Sequence, residues 1–469
     1  MTRPTICWFR RDLRLDDHPA LAAAARSGGP VLALYVLDPA LLAPAGPPRR
    51  RFLAAALGAL QELTGGQVAV VSGDPAEVVP AVAAAADAEA VFATADFGPY
   101  GRRRDDAVAA ALAADGRRLE AVGTPYAVAP GTLRTGGGTP FQVFTPFHKA
   151  WLAHGWDAPT ATPALDWLAP GAAGRPLDDP ASIAVDPADP DDVGAGEPRW
   201  TPATAGPEAA LDRLDAFLAG PVHRYKDRRD IPAEPGTSRL SVHLRWGTIH
   251  PRQILARLGP EPGPQAFARQ LAWREFYADV LYARPETARH AYQPRMAAME
   301  LDEGPEADRR FQAWAEGRTG YPIVDAGMRE LAATGWMHNR VRLVTASFLV
   351  KDLHIDWTRG ARWFMRHLVD GDLANNNHGW QWVAGTGTDA APYFRIFNPV
   401  SQAQRFDPDG RYVRRWVPEL AGVADRFVHH PWDDPKGMPL GYPYPIVEHD
   451  AERKEALRRY EAITSATRA

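Results

Sequence analysis

Apolar positions change their period about a third of the way along the chain. Up to residue 122, apolar runs of strand length (5–9, 31–37, 68–72, 90–93 and a weaker 119–122) alternate with Ala/Leu-rich helical stretches such as 50–63 and 76–86. That alternation predicts an α/β fold, a parallel, doubly wound sheet with helices on both faces. Ligands of such sheets sit at the carboxyl ends of the strands. No Gly-x-Gly-x-x-Gly follows the first strand, which argues against a nicotinamide dinucleotide there.

From 159 to 207 Pro, Gly, Ala and Asp dominate without periodicity, the composition of a linker or long surface connection. Helical periodicity then takes over at 207–218, 251–258, 266–282, 308–315, 323–334, 339–352 and 359–368, with a last helix at 451–460. No convincing strand alternation interrupts it, so this part reads as all-α. The expected layout is an α/β domain over 1–130, a connection over 131–206 and an all-helical domain over 207–469. A cofactor in the last would occupy a central cavity between helices.

At 469 residues the chain is too long for one core, and 45% hydrophobic with 23% charged residues is ordinary for a soluble protein. The single cysteine, Cys7, excludes an internal disulfide and a Cys-based zinc site, and its place in the first strand predicts a buried thiol. A strand starting at residue 5 leaves no room for a signal peptide, and no apolar run is long enough for a bilayer, so a cytoplasmic protein off the membrane is expected. The net charge of −4 argues weakly against nucleic acid, but distribution counts for more than the total. His223-Arg224-Tyr225-Lys226-Asp227-Arg228-Arg229 and Arg411-Tyr412-Val413-Arg414-Arg415-Trp416 interleave basic and aromatic residues, which suits phosphates beside stacked bases. Taken alone, each also reads as a solvated face.

The densest chemistry lies at 336–340 (Trp-Met-His-Asn-Arg), 370–376 (Asp-Gly-Asp-Leu-Ala-Asn-Asn) and 379–382 (Gly-Trp-Gln-Trp). Buried polar groups need partners, so this mixture is costly in a plain core. Carboxylates pair with arginines, amides read the edge of a flat heterocycle, and indoles stack on it or pass electrons. The pattern points to a pocket for a large planar cofactor beside a surface for a second flat substrate. Asp370 and Asp372, with no His or Cys cluster near, make a poor transition-metal site, and no metal is expected. Thr237-Ser238-Arg239-Leu240-Ser241 can cradle a phosphate with hydroxyls and backbone amides, or act as a turn and helix cap. Trp273-Arg274-Glu275-Phe276-Tyr277 reads equally as packing plus an ion pair.

Together with the run 386–399 (Thr-Gly-Thr-Asp-Ala-Ala-Pro-Tyr-Phe-Arg-Ile-Phe-Asn-Pro), these motifs resemble the DNA photolyase/cryptochrome family. The resemblance extends from Trp8-Phe9-Arg10-Arg11-Asp12-Leu13-Arg14 to Tyr442-Pro443-Tyr444-Pro445-Ile446-Val447, and is greatest to class I cyclobutane-dimer photolyases with a deazaflavin antenna. It implies reduced FAD contacted by Tyr225, Thr237, Ser238, Arg239, Leu240, Ser241, Phe267 (a frequent Trp), Arg274, Arg342, Asp370, Gly371 and Asp372, with Asn376 at the flavin N5. It also implies an Asp370–Arg342 pair and an electron-hopping chain of Trp380 beside flavin and Trp357 in the middle. The surface member usually lies near 299–301, where this chain has no indole, and Trp314 is the nearest substitute.

For the substrate, the resemblance implies damaged DNA with its pyrimidine dimer flipped out between Trp273 and Trp382. Asn339, Arg340, Leu343 and Gln402 match neighbouring lesion or DNA contacts. Gln270 stands where dimer photolyases usually carry Glu, and Leu343 where they carry Met. Gln at 270 is reminiscent of six-four photolyases, but those typically have His in place of Asn339 and Leu343. Asp96, the run 99–105 and Arg51 are similar to the subgroup with an 8-hydroxy-5-deazaflavin antenna, although Arg245 replaces a frequent Lys. A methenyl-folate or no antenna are the alternatives. The implied activity is light-dependent carbon–carbon bond cleavage by a monomer, without nucleophile or metal. A signalling cryptochrome and a six-four photolyase are the competing readings.

Overall fold

The computed structural model describes residues 2–184, 202–388 and 394–466. Residues 185–201 of the expected connection and 389–393 of the 386–399 motif lie outside the described residues. The chain divides into two compact units, one of Met1–Phe141, Thr145–His223 and Ser238–Pro285, the other of Gln142–Phe144, Arg224–Thr237 and Glu286–Ala469.

The first unit is built on five parallel strands, β1 (Thr5–Phe9), β2 (Val31–Leu37), β3 (Val68–Ser72), β4 (Ala90–Ala93) and β5 (Arg118–Ala121), in the order β3-β2-β1-β4-β5. Cys7 pairs with Ala33 of β2 and Phe92 of β4, and every residue of β1, β2 and β4 is buried, as a sheet covered on both faces requires. On one face Ile6, Trp8, Leu34 and Val91 meet Val78 and Val82 of the helix Pro75–Ala85 and Leu112 of the helix Pro99–Ala114. The strand order reverses between β1 and β4, which makes their carboxyl ends the switch point.

The compact units differ from the expected division at 130 and 207. Residues 207–223 and 238–285, expected with the helical domain, group with the sheet, and buried charges explain why. Glu275 accepts from the backbone N–H of Ala127 (2.5 Å) and Val128 (3.0 Å) and from Trp151 Nε1 (2.6 Å). Asp279 accepts from Gly131 N–H at 2.6 Å, and the Asp17 carboxylate receives Arg252 Nη2 at 2.6 Å. Part of the expected connection is likewise ordered into this unit: the helix Phe144–His154 carries the fully buried Trp151, and Trp167 bridges Val31.

The described residues of the second unit form helices joined by loops. They include Pro305–Ala315, Pro322–Thr334, Asn339–Ser347 with a π turn over Phe348–Asp352, Trp357–His367, Leu373–Ala384, Pro399–Phe406 and His449–Ala466. Proline opens several of them, where its missing N–H costs nothing and its φ is already helical. Leu331, Val344, Phe348, Phe364 and Trp380 share the core. The helix Leu373–Ala384 is absent from the periodicity reading, because Asn375, Asn376, Asn377 and Gly379 are weak helix formers. No helix among the described residues is long and apolar enough to cross a membrane.

Candidate functional site

The helix Leu373–Ala384 organises the polar residues of the second unit. Asp372 caps it, its Oδ1 accepting from the Asn375 backbone N–H at 3.0 Å and from the Asn375 side-chain amide at 2.8 Å. Steps of four residues lead from Asp372 to Asn376 and Trp380, so a carboxylate, an amide and an indole form one row. The half-buried Asn376 donates from Nδ2 to Ala361 O (3.0 Å) and Asn377 Oδ1 (2.9 Å), which fixes its amide plane. Trp380 is 2% exposed, and its buried Nε1 has no hydrogen-bond partner among the described residues. One turn before Trp382, His378 donates from Nδ1 to Ala374 O (2.8 Å) and accepts at Nε2 from Thr287 Oγ1 (3.0 Å); burial pushes its pKa down to about 4.

The expected Asp370–Arg342 pair is present, with Nη2 at 2.9 and 3.2 Å from the carboxylate oxygens and Nε donating to Met337 O at 2.8 Å. The Asp370 side chain is 3% exposed and needs that partner. The helix Asn339–Ser347 is capped by His338, whose Nδ1 accepts from Arg340 N–H at 3.2 Å. This leaves Asn339 exposed and Leu343 half-buried on the helix. Arg340 donates to Asp230 Oδ1 from Nη2 (2.9 Å) and Nε (3.3 Å) and lies 4.4 Å from the Phe406 ring centre. Trp382, Gln402 and Thr237 are half-buried, and Tyr225 is buried, its phenol pushed up to about 12 by desolvation. Gly371 is buried between Asp370 and Asp372.

These side chains fit a large flat polar cofactor in chemistry. A buried N–H without a partner among the described residues, an ordered amide and a capping carboxylate stand in one row, beside the pair of half-buried Arg342 with buried Asp370. Trp380 and Trp357, two of the three tryptophans expected in the chain, lie on the packed helices Leu373–Ala384 and Trp357–His367. Trp380 meets Phe364 edge-on at 5.0 Å, and Gly360 makes room for it, since a Cβ there would lie 2.2 Å from Trp380 Cη2. Trp357, one turn earlier, opens the Gly360 helix and is largely buried. Trp314 is the correction. It is fully buried, 6.1 Å from Trp380 and bonded from Nε1 to Thr345 O at 3.0 Å, so it is no solvent-exposed end of a chain.

The remaining expected residues belong to the first unit. Gln270 and Trp273 are half-buried one turn apart on the helix Pro262–Ala283, with Trp273 against Phe276 and Tyr277 at 5.7 and 5.4 Å. Phe267 sits in the core against Phe217 at 4.8 Å. Arg274 acts as a clamp, giving Nη1 to Pro125 O (3.1 Å) and Nη2 to Leu244 O (3.2 Å) over the Tyr126 ring. Ser238 Oγ accepts from Leu240 N–H at 3.3 Å, while Arg239 takes a left-handed backbone (φ 53°) that turns the chain into Ser241–Trp246.

Asp96 follows β4 at the switch point. It accepts from Gly98 N–H at 3.0 Å and receives Arg104 Nη2 at 3.3 Å. Burial raises its pKa, but Arg104, Arg11 and Arg10 outweigh burial and hold it below the usual range. A Cβ at Gly101 would meet the Asp96 carboxylate at 2.1 Å, so a larger residue there requires that carboxylate to shift. Asp96 lines a space of about 10 Å³ with Arg10, Arg11 and Thr94, room for roughly one water. Arg11 also reaches Arg245, donating from Nε to its carbonyl at 3.5 Å, and the Arg245 guanidinium lies over Trp246 at 4.9 Å. Arg51 is half-buried on the helix Pro47–Leu63. The sequence reading missed Gly360 and Asp230; a lone glycine inside a helical pattern was the available signal for the first, and nothing local marked the second.

Residues 5–165 match the family model of DNA photolyase, and residues 267–462 match that of the FAD binding domain of DNA photolyase. The chain is 40% identical over 490 aligned positions to the deoxyribodipyrimidine photo-lyase of Halobacterium salinarum, covering 97% of this chain and 98% of that one. It superimposes on a bacterial class III photolyase from Agrobacterium tumefaciens with a TM-score of 0.89 and 38% identity, over 99% of this chain and 98% of that one. An archaeal photolyase from Sulfolobus tokodaii, solved with two FAD molecules, gives a TM-score of 0.84 at 28% identity, over 98% of this chain and all of that one (100%). Similarity along both chains, together with the Asp372–Asn376–Trp380 row and the Arg342–Asp370 pair, places this chain in the DNA photolyase/cryptochrome family.

Proposed function

We propose that this chain opens cyclobutane pyrimidine dimers in DNA under blue light, using reduced FAD. The row of Asp372, Asn376 and Trp380 carries the reading, because a carboxylate, an amide and an indole at one-turn intervals suit the polar edge of an isoalloxazine. When bound and reduced, the flavin would supply the photoexcited electron that the dimer takes up and gives back. Asp370 and Arg342 neutralise each other beside that row, and Tyr225, Thr237, Ser238 and Ser241 supply hydroxyls for the diphosphate. Trp273 and Trp382 stack on the flipped bases, and Gln270, Asn339, Arg340, Leu343 and Gln402 contact lesion or backbone. The protein works as a cytoplasmic monomer.

Asp96, Arg51 and Arg245 favour an 8-hydroxy-5-deazaflavin antenna, the class I arrangement. A folate, a second FAD like that named for the Sulfolobus tokodaii protein, or no antenna would each leave a different spectrum in a denatured extract. That extract should contain FAD, and Asp372→Ala should lose it; a folded protein without flavin overturns the reading. Illumination with cyclobutane dimers and six-four products separately tests the lesion. Gln270 favours the six-four alternative, and repair of six-four products alone would establish it. Repair of neither lesion by reduced protein would favour a photoreceptor.

A further inference from the structure

The second unit contains a cavity of about 190 Å³ that none of the roles above uses. A cavity of roughly 150 Å³ is enough to admit benzene, so a single substituted ring fits. Trp357 forms part of its wall, and Met299, Glu300 and Leu301 line it too, the last two solvent-exposed. These are the positions where a surface indole was expected and is missing. The middle member of the tryptophan chain therefore faces a solvent-connected cavity instead of a third indole.

Two buried polar side chains on this wall lack the partners their chemistry calls for. Lys351 is 2% exposed, yet among the described residues its amino group makes one hydrogen bond, to Ala384 O at 3.3 Å, and otherwise lies over the Phe394 ring. Among the described residues it has no carboxylate partner, since Asp352 is taken by His449. Burial, only partly offset by Asp352, pushes its pKa well below the usual range. Thr386 is 6% exposed and its hydroxyl has no partner among the described residues. The carboxylates on the wall are occupied: Asp356 caps Thr358 N–H at 2.6 Å, and Glu300 pairs with Arg458 at 3.0 Å. A buried lysine amine with unused donors and a hydroxyl without a partner among the described residues, beside a ring-sized space lined by both apolar and polar side chains, suit a flat anion whose charge would favour the protonated amine.

We infer that this cavity binds a small planar anion with an oxidisable ring, such as an ene-diolate or a phenolic carboxylate, held by Lys351 and Thr386, and that this ligand re-reduces Trp357. The inference rests on the Trp380–Trp357 hopping chain proposed from the family resemblance. In the step, the oxidised Trp357 indole gains one electron and returns to its closed shell. The ligand loses that electron, releases its acidic ring O–H proton to water and leaves as a radical; no bond forms between them.

Benzoate and ascorbate serve as probes on the flavin-loaded protein. Calorimetric titration with benzoate should show one site, weakened at least ten-fold by Lys351→Met and several-fold by Thr386→Val. Photoreduction of oxidised flavin should saturate hyperbolically with ascorbate, and benzoate should compete with it in the unaltered protein, a result that does not depend on how a variant folds. Linear dependence on ascorbate without benzoate competition, in a protein whose photoreduction is lost on Trp357→Phe, overturns the donor site and leaves the hopping chain standing. Photoreduction that survives Trp357→Phe overturns the chain itself.

Discussion

Gln270 and Gly360 show how single residues set the behaviour of this site. Gln270 stands one turn from Trp273 on the helix Pro262–Ala283, where a carboxyl group is usual among dimer photolyases. Hydrogen bonds aimed at developing charge are a principal source of catalysis, and a charge-assisted bond is roughly twice as strong as a neutral one. Gln270→Glu should therefore raise the quantum yield of dimer repair with little change in DNA affinity, measured side by side for both proteins. Loss of repair in that variant would mean that Gln270 marks another lesion. At Gly360 two effects oppose each other. Alanine gains about 1 kcal/mol of helix propensity, but a Cβ 2.2 Å from Trp380 and 2.6 Å from Leu349 overpacks the core at about 1–3 kcal/mol. Overpacking should win, and Gly360→Ala should lower the unfolding free energy from urea denaturation by about 1 kcal/mol or more. Trp380→Phe separates two activities: photoreduction of oxidised flavin should stop, while repair by chemically reduced protein should continue nearly intact. Equal loss of both would assign Trp380 a structural role.

The helix Leu373–Ala384 is held by its surroundings rather than by propensity. Asp372 caps it, Asn377 Nδ2 donates to Ala288 O at 2.5 Å, and Gln381 Nε2 donates to Thr287 O at 2.8 Å. His378 belongs to the same set, neutral and bonded at both nitrogens. Its folded pKa of about 4 lies below the ordinary value of about 6.5, so protons bind the unfolded chain more tightly. The stability it contributes is complete above about pH 6.5, declines as pH falls toward 4 and levels off below, a change on the order of 3 kcal/mol. His378→Gln should flatten that acid limb in denaturant midpoints measured from pH 4 to 7. An unchanged limb would place the acid sensitivity elsewhere, His250 being next, which burial also pushes down to about 4.

For the molecule as a whole, the proposed DNA binding would have to come, at a net charge of −4, from local groups such as Arg340. Asp230 and the Phe406 ring already fix its direction, so on the proposed reading a phosphate would meet an ordered guanidinium. Arg340→Ala should weaken lesion-bearing and undamaged DNA alike and reduce the salt slope of binding by about 1. A loss confined to lesion-bearing DNA would assign Arg340 to the lesion instead. The Arg342–Asp370 pair was implied by the family resemblance, while sequence alone determined the five strands and most of the long helices, because apolar periodicity is a local signal. It did not reveal the helix carrying Asn376 and Trp380, whose residues prefer other conformations and yield to tertiary hydrogen bonds. Nor did it show that 238–285 joins the sheet, since Glu275 and Asp279 find their backbone partners about 150 residues away in the chain. The burial of Trp314 and the cavity beside Trp357 were likewise decided only in three dimensions, because exposure depends on which distant side chains arrive to cover a ring.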